Sequence, residues 1–293
     1  GDLHKSITFT EYSDDPAAYE GANLLGNPYP SYLDWDDVDG YGSKYTWNGT
    51  GYDARTEAGA GDGSRYVDPM QGFFIVSGSA GGTFSLTNSM RTHTSSKKSG
   101  DEKALQNGLV LSASGNNYLD DLWLLIDEQA FEAFELQNDA WKFTTNTPGI
   151  SQLWSVCPDG NLSIDVRPET ETIQLGFSND QNGNYSIALN QIDGIAQAEL
   201  EDTKTNVLHN LMTGAYTFDW NTTDSEERFI LHLKATGTHY LEAQAAKVYT
   251  ANHHVYVRQS ELNSYSEMAV YDLRGRLIVK KNLSATSLQS FEL

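Results

Sequence analysis

The sequence predicts an all-β fold: β-sandwich modules followed by an immunoglobulin-like β-sandwich at the C-terminal end. Three observations lead there. Short runs rich in β-branched and aromatic residues recur along the chain and are bounded by Gly, Ser and Asn. Turn sequences punctuate them, most strongly Pro158-Asp159-Gly160-Asn161 and Asn182-Gly183-Asn184. Only one segment has helical spacing, so the crossover helices that a parallel sheet requires are missing from the pattern.

In chain order, residues 6–10, 72–76 and 82–86 are the first expected strands. In the second of these, alternation sends Phe73 to one face and Phe74 to the other. Asn27-Pro28-Tyr29-Pro30 fixes φ at two positions and favours extended geometry before each proline, which gives a rigid loop. Residues 57–64 (EAGAGDGS) form a Gly-rich loop expected to be mobile. Arg91 and His93 share a face at i, i+2 and are expected to pair with loop acids. Further strands are expected at 109–113, 122–126, 173–177, 185–189, 198–202, 216–218 and 228–233. Between them, 128–141 has helical spacing that turns Phe131, Phe134 and Leu136 inward, enough for one or two turns. The polar run 94–101 contains no apolar residue, so the region 1–236 is expected to allow two subdomains divided near 94–103. Residues 235–238 then lead into a C-terminal domain at 237–293. There the alternating runs 248–259 and 266–284 surround Tyr271-Asp272-Leu273-Arg274-Gly275-Arg276-Leu277, a hairpin whose Gly275 can take positive φ.

Composition excludes several functions. Nineteen basic against forty acidic residues give a net charge of −21 over 293 residues. The basic pairs Lys97-Lys98 and Lys280-Lys281 make no patch able to neutralise a run of phosphates, so no nucleic-acid partner is expected. An anionic membrane surface is disfavoured for the same reason, and no run of eighteen apolar residues exists to span a bilayer. Cys157, the one cysteine, excludes an intrachain disulfide and reads as a small buried hydrophobe. Gly1-Asp2-Leu3 opens no signal peptide, and further chain upstream is expected.

The search for chemistry yields two candidate sites. No metalloprotease helix motif, CxxC pair, phosphate loop or Gly-x-Ser-x-Gly elbow is present, and forty acids single out no glycosidase pair. His253 and His254 point to opposite faces of an extended run and cannot chelate one ion together. The acidic loop Asp34, Asp36, Asp37 and Asp39 is the candidate calcium site, and otherwise no cofactor is expected. Calcium takes several oxygen ligands from a loop, but Val38 falls where a third ligand would stand in the regular spacing. The aromatics Trp35, Tyr41, Tyr45, Trp47 and Tyr52 crowd one loop-rich segment. Exposed rings there would stack on sugars, whereas buried ones would pack a subdomain poor in strands. Five Asn-x-Ser/Thr sequences (at Asn48, Asn161, Asn184, Asn221 and Asn282) follow from the abundance of those residues.

Val270-Tyr271-Asp272, Gly275 and Leu277-Ile278-Val279, preceded by Val248-Tyr249 and Val255-Tyr256-Val257, resemble the type A C-terminal sorting domain of cargo exported by the Bacteroidetes-type type IX secretion system. That resemblance covers about residues 240–293. Such domains continue into one or two more strands, so the domain is expected to be cut short at Leu293. Residues 23–31, 33–35, 68–75, 87–93, 139–143, 152–155 and 228–232 resemble the region that precedes such a domain in large surface proteins. The resemblance implies a non-enzymatic cell-adhesion module, extracellular or attached to the outer membrane. Its partners would be the secretion and attachment machinery, through 237–293, and a glycan or host surface protein. The alternative reading is a carbohydrate-binding module using Trp35, Tyr45, Trp47 and Tyr52.

Overall fold

The computed structural model describes residues 3–7, 21–38, 40–76, 82–93, 105–116 and 118–235, and five strands between 247 and 292. The protein is all-β, with short 3-10 turns and no α-helix among the described residues. It divides into two compact units, Gly1–Lys234 and Ala235–Leu293.

Strands are numbered along the chain. In the first unit, β1 (Leu3–Ile7) pairs antiparallel with β8 (Gly82–Leu86). A four-stranded sheet has the order β2 (Ala22–Gly26), β7 (Gly72–Val76), β4 (Lys44–Trp47), β5 (Tyr52–Arg55). A three-stranded sheet places β3 (Tyr32–Asp34) between β6 (Tyr66–Val67) and β9 (Arg91–Thr92). The remaining strands are β10 (Gly108–Gly115), β11 (Tyr118–Ile126), β12 (Ala140–Trp141), β13 (Gln152–Cys157), β14 (Gly160–Arg167), β15 (Thr172–Ser178), β16 (Gly183–Asp193), β17 (Ile195–Asp202), β18 (Val207–Asn210), β19 (Tyr216–Trp220) and β20 (Phe229–Ala235). They form one eleven-stranded sheet in the order β18-β17-β20-β15-β13-β14-β11-β10-β16-β19, with β12 beside β14. β11 and β14 run parallel; the other recorded pairs are antiparallel.

The expected face-to-face packing takes the form of a sheet curled almost into a barrel around its own core. Alternate residues supply that core: Leu109, Leu111 and Ala113 from β10, Ile173, Leu175 and Phe177 from β15, Phe229, Leu231 and Leu233 from β20. The two ends of the sheet meet at a side-chain latch. Asp202, at the end of β17, receives both Arg228 Nε (2.7 Å) and Nη2 (2.6 Å), and the Tyr216 hydroxyl at 2.8 Å. Arg228 also donates to the carbonyl of Asp219 at 2.8 Å and stacks over Phe218 and Phe229. Burial opposes ionisation of Asp202, but Arg228 and the Tyr216 hydroxyl outweigh it and bring the carboxyl down to about 2.

Two further cores flank the four-stranded sheet. Phe73 and Ile75 on β7 join Leu33, Trp35, Val67 and Phe84, while Phe74 and Val76 turn to Tyr45, Phe143 and Ile164 on the other side. The expected split of Phe73 from Phe74 therefore holds, with a core on each face. Trp123 and Leu125 of β11 pack into the second of these cores from the outer face of the large sheet.

Asn27 explains the Asn-Pro-Tyr-Pro loop. Its buried amide donates to the carbonyls of Ser31 (2.8 Å), Val67 (3.2 Å) and Asp68 (3.1 Å), and its Oδ1 accepts from Tyr29 N–H at 3.0 Å. Arg91 pairs with the Tyr29 ring, Ser31 Oγ and Asn88 Oδ1, not with loop acids as expected. Residues 57–64 are not a free loop: Thr56 N–H donates to Ala60 O at 2.9 Å and Gly63 N–H to Ala54 O at 2.8 Å. Gly61, at φ +107°, lies so close to Ala54 and Ile164 that a Cβ would collide with both. The helical expectation at 128–141 fails as well. Hydrogen-bonded turns stand there, and Phe131 is 65% exposed, whereas Phe134 stacks on Trp141.

In the second unit, β21 (Lys247–Ala251), β22 (His254–Arg258) and β25 (Leu288–Glu292) form one sheet, and β23 (Glu267–Tyr271) pairs with β24 (Leu277–Asn282). The motif residues Val270 and Val279 face each other across that pair. The turn at 272–276, His253 and the divide expected near 94–103 lie outside the described residues.

Candidate functional site

The predicted aromatic cluster is split by the β4–β5 hairpin. Trp35 sits in a 3-10 turn, Trp35–Asp37, and is wholly buried, edge-on to Phe73 at 5.6 Å. Tyr45 is buried too: its ring stacks on Phe143 at 4.1 Å, and its hydroxyl accepts from Trp141 N–H at 2.8 Å. Neither ring offers a face for a sugar, which corrects the stacking role expected of both. Alternation along β4 places Trp47 at the rim, 47% exposed, with half-buried Tyr52 edge-on at 5.1 Å. Tyr52 rests in turn on Phe74 and Phe143. Tyr41 contributes a hydroxyl that donates to Thr83 O and accepts from Ser85 N–H.

The acidic loop is organised by arginines. Asp34 is buried and holds Arg65 through two bonds of 2.7 Å, and its Oδ1 also caps the turn by accepting from Asp36 N–H. Asp36 pairs with Arg55 at 3.0 Å and with Arg65 at 3.2 Å. Asp37 is exposed, and Asp39 lies outside the described residues. Two of the expected calcium ligands are thus turned onto guanidinium groups. Among the described residues no cluster of three or more His, Cys, Asp or Glu side chains could hold a metal ion.

Beside this network lies Lys44, fully buried, its Nζ without a hydrogen-bond partner and 6.0 Å from the centre of the Trp35 ring. Burial, then the neighbouring Arg55 charge, lower its pKa to about 7, against the attraction of Asp53, Asp62 and Asp36. The Trp35 indole N–H is likewise buried without an acceptor. The site is therefore a packed seam between two sheet layers with an aromatic rim at Trp47 and Tyr52. Nothing in it pairs a nucleophile with a base.

Sequence reasoning missed Lys44 and Trp123. A signal existed for the second: Leu122-Trp123-Leu124-Leu125 is apolar at every position, which marks a strand covered on both faces. Cys157 is a buried free thiol, as expected.

A family described as a domain of unknown function, DUF8693, matches residues 39–233. Over 128 residues the chain is 32% identical to the minor fimbrium subunit Mfa5 of Porphyromonas gingivalis. That alignment takes in 42% of this chain and 10% of the subunit, so the chain matches about a tenth of the length of that relative. No solved structure matches the chain. No helix among the described residues is long and apolar enough to cross a membrane.

Proposed function

As the chain belongs to the DUF8693 family, whose function is open, we propose its role from its relative and its geometry: a non-enzymatic adhesion module of a cell-surface protein. The observation that carries this reading is the similarity to a fimbrium subunit, a kind of protein that works outside the cell. An all-β unit with ion pairs latched across its sheet fits a part that holds on rather than one that turns over substrate. The net charge of −21 keeps such a module soluble and away from anionic surfaces. The partner would be a host or neighbouring-cell surface component. Purified chain added to whole cells should compete for that component and lower their adherence in proportion to its concentration. Adherence unchanged at saturating chain would overturn the proposal.

The finer reading assigns the second unit, Ala235–Leu293, to export and attachment through the type IX machinery. Its support is the Val270-Tyr271-Asp272 and Leu277-Ile278-Val279 motif, of which Val270 and Tyr271 lie on β23 and Leu277, Ile278 and Val279 on β24. A reporter fused to residues 237–293 with the native downstream sequence should leave the cell, and retention in the periplasm would contradict the assignment. Glycan recognition at the rim is a second reading, favoured by the exposure of Trp47 beside Tyr52. Trp47→Ala should then abolish glycan binding without changing the fold.

A further inference from the structure

A cavity of about 310 Å³ opens where the Thr56–Ala60 turn meets the outer face of the large sheet. Its floor is Trp123, Leu125 and Val166, and its rim carries Gln106, Asn107, Asp127 and Asn138. The volume sits at the lower end of the range in which small-molecule sites fall. Trp123 is half-buried, so part of its ring remains open, while its indole N–H is buried and finds no acceptor among the described residues. That nitrogen has no surface open to the cavity, so what Trp123 offers a ligand is the open part of its ring.

The lining decides the chemistry of that partner. Among the described residues no basic side chain lines the cavity, and the chain carries a net charge of −21, which disfavours an anionic ligand. One carboxylate, Asp127, stands among three primary amides, each offering both a donor and an acceptor. Amides and a carboxylate set around an indole and aliphatic floor suit a molecule with hydroxyls on its edge and C–H groups on its face. A neutral sugar ring has that pattern. We infer that this cavity binds one neutral monosaccharide unit, its ring lying on the open part of Trp123 and its hydroxyls on the amides of the rim. The inference stands apart from the rim at Trp47, which does not line the cavity, and does not depend on the adhesion reading.

The test is titration of the purified chain with D-glucose, D-galactose, D-mannose and N-acetylglucosamine, read by tryptophan fluorescence and calorimetry, with N-acetylneuraminic acid as the charged comparison. At least one neutral sugar should bind saturably and more tightly than the charged one. Trp123→Ala removes the ring face on which the sugar lies, and should weaken that sugar at least tenfold. Asn138→Ala at the rim should weaken it as well, and Trp47→Ala should leave it unchanged. Thermal melts of each variant establish that it is folded. If no neutral sugar saturates, if the charged sugar binds best, or if Trp123→Ala and Asn138→Ala both bind as the parent does, the inference fails. Cell adherence is not the readout, so failure here leaves the adhesion proposal to its own experiment.

Discussion

Replacing Lys44 by methionine should stabilise the protein at neutral pH by about 2–4 kcal/mol, although Lys44 lies at the centre of a packed seam. The size follows from its environment. An ordinary lysine titrates at 10.5, and burial lowers Lys44 to about 7 in the fold. Each unit of that difference corresponds to ~1.36 kcal/mol, so at pH 7 folding bears a penalty of about 4 kcal/mol for stripping a proton from the amine or burying it charged. The value of about 7 already includes the attraction of Asp53, Asp62 and Asp36, and the imperfect fit of a methionine in the lysine's place trims the gain. The sign with pH is fixed. The folded pKa is below the unfolded one, so the penalty is full below pH 7, shrinks as pH rises and vanishes above 10.5. Urea unfolding of both proteins, followed by tryptophan fluorescence, should give a gap of about 2–4 kcal/mol at pH 7 that falls to about 1 kcal/mol at pH 10. A variant less stable than the parent at pH 7, or a gap that does not close with pH, would refute the account of this seam.

Arg228→Met should destabilise by about 3–5 kcal/mol by leaving Asp202 buried and unpaired, and adding Asp202→Leu should restore most of that loss in the same unfolding assay. The Asp202 carboxyl, held at about 2 against 3.8 in an unfolded chain, contributes stability that is full above pH 3.8 and lost as pH falls toward 2. Asp202→Asn should therefore flatten the acid limb of a melting-temperature profile. Asn27→Ala removes the buried bonds to the carbonyls of Ser31 and Val67 and should cost about 2–3 kcal/mol, read from the denaturation midpoint. Tyr45→Phe removes the acceptor of Trp141 N–H and should cost about 1–2 kcal/mol by the same measure.

The long strands were legible because they alternate around one core: β10, β15 and β20 place Leu, Ile, Phe or Ala at alternate positions. The β4–β5 hairpin was not legible. Lys44 and Arg55 stand where a half-buried strand shows apolar residues, and only the surrounding layers reveal that these charges are enclosed. For the same reason the segment itself did not decide whether Trp35 and Tyr45 are exposed or packed: the residues that cover them are distant in sequence, including Phe73 and Phe143. The segment 128–141 has helical spacing, yet its own side chains capture its backbone. Asp127, Glu135 and Asp139 accept from the N–H groups of Gln129, Phe131 and Glu135, and Asp159 accepts from Phe134. Acidic side chains that bond nearby N–H groups compete directly with helix formation, and a count of apolar positions does not register it. The acidic loop misled in the opposite way, because its arginine partners at 55 and 65 lie on other elements.

The central claim is that this all-β chain works on the outside of the cell. Antibody raised against the purified chain and applied to intact source cells, then to permeabilised ones, tests it most directly. The account predicts labelling of intact cells at a level that permeabilisation does not raise. Labelling that appears only after permeabilisation would contradict it.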